Sequence, residues 1–322
     1  MTDIPVPERV LPRRPEGDEP REFSRTLSNG VTLVGFEWPG EGAPILLAHA
    51  TGFHARVWDE VARRLPDRRV ISLDLRGHGR SSKPAPPYHW HRFGEDVALL
   101  IDDLDLSGII GVGHSMGGHT IVDAAMQRPG RFAALMLADP TIFPIDRGKQ
   151  PAEGAFDFVA KRRNVWASPE EMIERFESRF PFNVWERQTL RDYAVHGLLP
   201  AQDGASAGGA SEGGASSDHL ELACPPLIEA AVLAGRASEG ADILPHLGAV
   251  TVPVRLIRAR APEPGETPAP FTASPTMPTL ASKFPNAMDV YRPDLSHFIP
   301  MQAPDLVARH IMELADEVSS TP

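Results

Sequence analysis

Short, nearly unbroken apolar runs recur along the first half of the chain: 43–50 (APILLAHA), 69–75 (RVISLDL), 108–114 (GIIGVGH) and 133–139 (AALMLAD). A strand with one wet face alternates polar and apolar residues, so continuous runs predict strands buried on both faces. Between them, 55–65 (ARVWDEVARRL), 93–104 (FGEDVALLIDDL) and 116–129 (MGGHTIVDAAMQRP) carry apolar residues at helical spacing. Strand and helix therefore alternate, which predicts an α/β fold with a mostly parallel central sheet flanked by helices. Ahead of these, 23–38 alternates around Asn29-Gly30, the strongest short-range signal for a hairpin.

The rhythm breaks after Pro140. Amphipathic helix patterns at 168–180 and 186–199 follow one another, with no strand pattern among them until about Leu247. This predicts a helical cap or lid over 141–247, inserted into the fold. The sheet pattern returns at 250–261 and 287–293, and a helix over 303–318 closes the chain. The predicted organisation is thus a flexible N-terminal arm over 1–21, a core built from 22–140 and 248–322, and the cap between them. Prolines and alternating charges give the arm little to bury. Residues 201–218 form a Gly/Ala/Ser tract that cannot build a core, and 262–278 is a proline-rich loop.

Composition narrows the function classes. The 322 residues leave room for one large α/β domain and an insertion. A formal net charge of −11, with no Lys/Arg cluster against it, argues against nucleic acid and anionic membrane surfaces as partners. Cys224 is the lone cysteine, so no internal disulfide forms and no oxidising compartment is required. No apolar run approaches the ~18 residues a spanning helix needs, and the first residues lack the apolar core of a secretory signal. The expectation is a soluble, cytoplasmic protein, with a homodimer left open.

The chemistry concentrates at Gly113-His114-Ser115-Met116-Gly117, between a predicted buried strand and a predicted helix. That is the context of a nucleophile elbow, where a tight turn exposes one serine hydroxyl and demands small neighbours. A serine hydroxyl needs a base. Among the histidines, His297 follows the strand 287–293 on a short loop and precedes the last helix, the position expected of one. The carboxylate that orients it is either Asp139, at the end of the run 133–139, or Glu263 after 250–261, with Glu266, Asp289 and Asp294 as lesser options. For an oxyanion, Met116 N–H is one donor, being the residue after the nucleophile, and Thr51 or Gly52 N–H from the loop 49–54 is the second. His54, Trp58, Phe143 and Trp166 are the candidates to line a substrate pocket. His89 and His91 have metal-ligand spacing but no evident third partner, so neither a metal nor another cofactor is expected.

These motifs together resemble the α/β-hydrolase superfamily, over roughly residues 23–318. Residues 74–84 (DLRGHGRSSKP) look like that family's loop after its fourth strand, and 296–307 (SHFIPMQAPDLV) look like its histidine loop and final helix. Two departures stand out. His49-Ala50 replaces the usual His-Gly at the oxyanion loop, and ARAPEPGE (259–266) replaces the usual Gly-x-x-Asp after the penultimate core strand. Some members place the acid at the end of the earlier strand, which puts Asp139 ahead of Glu263. A serine rather than an aspartate at the elbow implies an acyl-enzyme and not the alkyl-enzyme ester of dehalogenases and epoxide hydrolases. The resemblance therefore implies a serine esterase or lactonase acting on a small-molecule carboxylic ester or lactone. The alternatives are a carbon–carbon bond hydrolase of the same fold and a non-catalytic ligand-binding member.

Overall fold

The apolar runs form the centre of an eight-stranded sheet. A computed structural model describes residues 11–145, 154–201, 219–265 and 271–320. In chain order the strands are β1 (Arg21–Thr26), β2 (Thr32–Trp38), β3 (Glu41–Ala48), β4 (Arg68–Asp74), β5 (Ile109–His114), β6 (Phe132–Ala138), β7 (Val165–Trp166), β8 (Leu198–Pro200), β9 (Leu220–Leu222), β10 (Val254–Ala259) and β11 (Ala287–Arg292). The main sheet runs in the order β1-β2-β4-β3-β5-β6-β10-β11, and β7 to β9 make a separate three-stranded sheet. From β4 to β11 every pairing in the main sheet is parallel, while β2 runs against both its neighbours. The chain steps outward from β3 to β4 and then crosses back to β5, so β3 and β5 flank the switch point where open α/β sheets place their ligands.

The continuous apolar runs make sense once both faces are covered. Along β3, Ile45 and Leu47 point into one hydrophobic cluster and Leu46 and Ala48 into the other. Ile110 and Val112 on β5 and Met136 on β6 join the first, whereas Leu135 and Leu137 on β6 join the second. One layer of helices is built by α1 (Asp59–Arg63) and the C-terminal α9, the other by α2 (His91–Asp103) and α3 (Met116–Gln127). Each fully buried Leu or Ile contributes about 1.5–3 kcal/mol, so the strand periodicity of two fixes both layers at once.

Between β6 and β10 the described elements are α4 (Asp157–Ala160), α5 (Pro169–Phe176), α6 (Arg187–His196), α7 (Pro226–Ala234) and the strands β7 to β9; α8 (Ile299–Gln302) and α9 (Pro304–Ser319) follow β11. Sequence patterning anticipated α5 and α6, and Ser168 caps α5 by accepting the Glu171 N–H at 3.2 Å. It did not anticipate the small antiparallel sheet. Strands of two or three residues, as β7 to β9 are, are too short to show a period. The tract 202–218 lies outside the described residues.

The N-terminal arm requires a correction. Of its described part, Leu11 and Arg14 are buried. The Arg14 guanidinium donates to the carbonyls of Ala62, Pro39, Leu65 and Arg68 and to the Asp18 carboxylate. A helix end leaves carbonyls without partners, and Arg14 supplies donors to those at the end of α1, which ties residues 11–20 to the core. Among the described residues no helix is long and apolar enough to cross a membrane.

Arg14→Ala is expected to lower unfolding free energy by about 3 kcal/mol, since several part-buried carbonyls lose their donor together. Urea denaturation checks this; a loss below about 0.5 kcal/mol would return the segment to the status of a loose arm.

Candidate active site

Ser115 sits at the turn from β5 into α3 with φ 55° and ψ −118°, a region that costs a non-glycine residue about 1–3 kcal/mol. What holds it there is a close approach of backbones. A Cβ at Gly117 would stand 2.1 Å from the Ala48 carbonyl oxygen, and one at Gly113 would stand 2.3 Å from the Gly117 oxygen. The start of α3 thus lies directly on the end of β3. Ser115 N–H donates to the Ala138 carbonyl at 3.1 Å, which ties the turn to β6 as well.

The residues expected to act together do converge. Asp139 Oδ2 accepts from His297 Nδ1–H at 2.7 Å, which fixes the neutral tautomer and leaves Nε2 as an acceptor. The Ser115 hydroxyl lies 3.0 Å from that Nε2 and so donates to it. Asp139 is fully buried, and its other oxygen accepts Ala259 N–H at 3.1 Å and the Ser274 hydroxyl. Glu263 is exposed on its loop, while Asp289 and Asp294 are engaged by Arg258 and Arg292. Glu266 lies outside the described residues. Of the candidate acids weighed from sequence, Asp139 is therefore the one that meets His297.

The loop after β3 is held by two imidazoles. His49 donates from Nδ1 to the Ala50 carbonyl at 2.7 Å and accepts Leu75 N–H on Nε2 at 3.1 Å. His78 donates to the Arg76 carbonyl at 2.9 Å and accepts Gly52 N–H at 3.1 Å. Both rings must be neutral to accept. Burial, with each ring near other histidines or a lysine, holds His49 well below its usual pKa and lowers His78 to about 4. Asp74 adds two carboxylate bonds, from Ala55 N–H at 2.7 Å and Arg80 N–H at 2.8 Å. The Gly52 N–H is thereby used, whereas Thr51 N–H has no partner among the described residues. Thr51 and Ser115 line the same cavity, and Met116, first in α3, has an N–H free by position.

Sequence reading missed three groups. His114 donates from Nε2 to the His297 carbonyl at 2.8 Å, and burial lowers its pKa to about 3, so it too stays neutral. Thr141 Oγ1 lies 3.1 Å from Ser115 Oγ, and Ser274 bonds Asp139. His114 lay inside the quoted motif, but nothing in the spacing says which backbone its ring will reach. Thr141 and Ser274 sit in loops without any pattern.

The cavity over Ser115 has a volume of about 440 Å³. Its floor includes Ala50, Thr51, Ser115 and His297, and the segment after β6 contributes Arg162, Phe176, Phe182, Tyr193, Glu229 and Arg236. None of His54, Trp58, Phe143 and Trp166 lines it, which corrects the expectation for all four. His54 turns away to donate to the Tyr193 carbonyl at 3.1 Å, and Trp58 is fully buried in the core. Trp166 packs behind Phe176 at 5.3 Å between centroids, and Phe143 stands behind Arg236. His89 and His91 stack on each other, with His91 Nδ1 on the Glu239 carbonyl. Asp59, Asp192 and His196 also come close together, but Arg56 and Arg63 already occupy the two carboxylates.

A family model described as alpha/beta hydrolase fold matches residues 43–188. The chain is 26% identical over 300 residues to 2-(acetamidomethylene)succinate hydrolase of Mesorhizobium japonicum, covering 91% of this chain and 95% of that one. To a non-heme chloroperoxidase of Streptomyces lividans it is 35% identical over 116 residues, which span 35% of this chain and 42% of that protein. The crystal structure of E-2-(acetamidomethylene)succinate hydrolase matches with TM-score 0.69 at 24% identity, covering 92% of this chain and all 100% of that one. A thermophilic esterase from Thermogutta terrifontis matches with TM-score 0.65 at 23% identity, covering 92% and 99%. The chain thus has the α/β-hydrolase fold and is similar to hydrolases of that superfamily.

Because Gly117 faces backbone and not a side chain that can move, Gly117→Ala is expected to cost about 3 kcal/mol in urea denaturation. Gly248→Ala, where a Cβ meets nothing within 4 Å, is the control and should change stability by less than about 0.5 kcal/mol. Equal effects of the two would remove the close approach as the constraint on the elbow.

Proposed function

We propose that this protein is a serine hydrolase that cleaves a carboxylic ester or lactone through an acyl-enzyme. The observation that carries the reading is the relay Asp139–His297–Ser115, with bonds of 2.7 and 3.0 Å ending on a serine at a strained turn. In the reaction His297 Nε2 takes the Ser115 proton as Oγ bonds to the substrate carbonyl carbon. The negative charge that develops on the carbonyl oxygen is met by the N–H groups of Met116 and Thr51. As the carbon–oxygen bond breaks, His297 returns the proton to the leaving alkoxide. Water, deprotonated by the same imidazole, then attacks the acyl carbon and releases the acid and Ser115. Asp139 keeps Nδ1 protonated and offsets the charge of the imidazolium that forms in each half of the cycle.

Residues 141–247 act in this reading as the lid. They supply the aromatic side of the cavity, Phe176, Phe182 and Tyr193, which suits an apolar portion of the substrate and keeps water from the acyl carbon.

A fluorophosphonate probe is expected to label the wild type and not Ser115→Ala. On a panel of p-nitrophenyl esters and lactones, Asp139→Asn should lower kcat by about 10³- to 10⁴-fold, because the imidazole tautomer is lost. Glu263→Gln should stay within about twofold. Absence of labelling in the wild type would overturn the acyl-enzyme. Turnover of a vinylogous diketone, with none of any ester, would move the reaction to a carbon–carbon bond.

A further inference from the structure

Among the described residues three charged side chains line the cavity: Arg162, Glu229 and Arg236. Two of them cancel. Arg162 Nη1 holds both carboxylate oxygens of Glu229, at 2.8 and 2.7 Å. Arg236 has no such partner: among the described residues no carboxylate pairs with it, and its contacts are the rings of Phe143 and Phe156, at 5.8 and 5.2 Å from its guanidinium carbon. Both rings lie within cation–π distance of the guanidinium. Its N–H donors remain to be satisfied, and an arginine, unlike a lysine, cannot escape by losing its proton. Burial alone acts on it, lowering its pKa with no acid to offset the effect.

A half-buried cation that no carboxylate meets among the described residues carries a desolvation cost, and a chain of net charge −11 has carboxylates to spare. Its retention in the wall of the cavity over Ser115 calls for an external anion. We infer, resting on the serine-hydrolase reading, that the substrate carries a carboxylate, which docks on Arg236 while its ester or lactone carbonyl sits at Ser115. Among the described residues Arg236 is the lining charge that no carboxylate meets, and a monoanionic carboxylate complements it. A phosphate monoester would leave a negative charge over, in a cavity that already holds Glu229 and is walled by aromatic rings. The guanidinium edge and a carboxylate form two parallel hydrogen bonds, which fixes orientation as well as charge.

The test compares p-nitrophenyl hemiesters of succinate, glutarate and adipate with neutral p-nitrophenyl esters of matched chain length. Wild-type kcat/KM is expected to favour at least one hemiester by about tenfold or more. Arg236→Gln should reduce that ratio by about tenfold, mainly through KM, and Arg236→Lys should restore part of it. Binding without turnover is read separately: glutarate should raise the Tm of the wild type and of Ser115→Ala but not of Arg236→Gln. An anionic preference that survives Arg236→Gln, or no preference among esters that are turned over, overturns the inference. Stronger protection by inorganic phosphate than by glutarate overturns the carboxylate assignment. If no ester is turned over and no probe attaches, the serine reading falls, while glutarate binding through Arg236 still stands or fails by itself.

Discussion

The contact on which the remainder of this site depends is the seating of the start of α3 on the last residues of β3. Gly117 stands where any side chain would meet the Ala48 carbonyl oxygen, and this proximity forces the sharp turn at Ser115. The turn brings two otherwise separate strand ends together. One carries the serine and the N–H of Met116. The other carries the loop 49–54, whose Thr51 N–H has no partner among the described residues. A strained φ at Ser115 is affordable only where surrounding structure over-determines it, and here β6 does so through the Ala138 carbonyl.

The second feature is the number of imidazoles kept neutral. His49, His54, His78 and His114 all have pKa values pushed down by burial, and each works as a fixed donor, with His49 and His78 also accepting. A neutral imidazole offers one N–H and one lone pair at fixed angles, which suits it to bridging loops whose backbone groups face in different directions. His49 and His78 do this for the loop 49–54, and His114 donates to the backbone of His297. Protonating His49 or His78 would add a charge beside the loop 49–54 and abolish the acceptor for Leu75 N–H or Gly52 N–H. The carboxylate of Asp139 is treated in the opposite way: it is buried but met by a backbone N–H, a hydroxyl and His297.

How much of this was legible in the sequence follows from what each signal encodes. The strands were legible because burial on both faces writes a continuous apolar run, and the ends fell within a few residues of those expected. The elbow was legible because a backbone clash restricts its neighbours to glycine. His297 could be placed because chain order puts it between the last strand and the last helix. The acid was only half legible: Asp139 ends a strand at the right edge, but so would many aspartates, and nothing local says that Ser274, far along the chain, will complete its bonds. The pocket was not legible. Its walls come from Arg162, Tyr193, Glu229 and Arg236, which converge only after the inserted segment folds, whereas large residues adjacent to the motif, such as His54 and Trp58, turn into the core.

These features combine in the electrostatics of the cavity. With Arg162 spent on Glu229, the charge in the wall that no carboxylate meets is Arg236, among the described residues. The overall charge of −11 repels anions at long range, but salt screens that field within about 8–10 Å. Inside a cavity lined in part by aromatic rings the local dielectric is lower than in water, so in the proposed reading the Arg236 guanidinium acts at short range. Selectivity then divides between two parts of the chain. The core sets the reaction through a backbone geometry that tolerates no side chain at Gly117. In the proposed reading the segment after β6 selects the substrate through Arg236, which no carboxylate meets among the described residues.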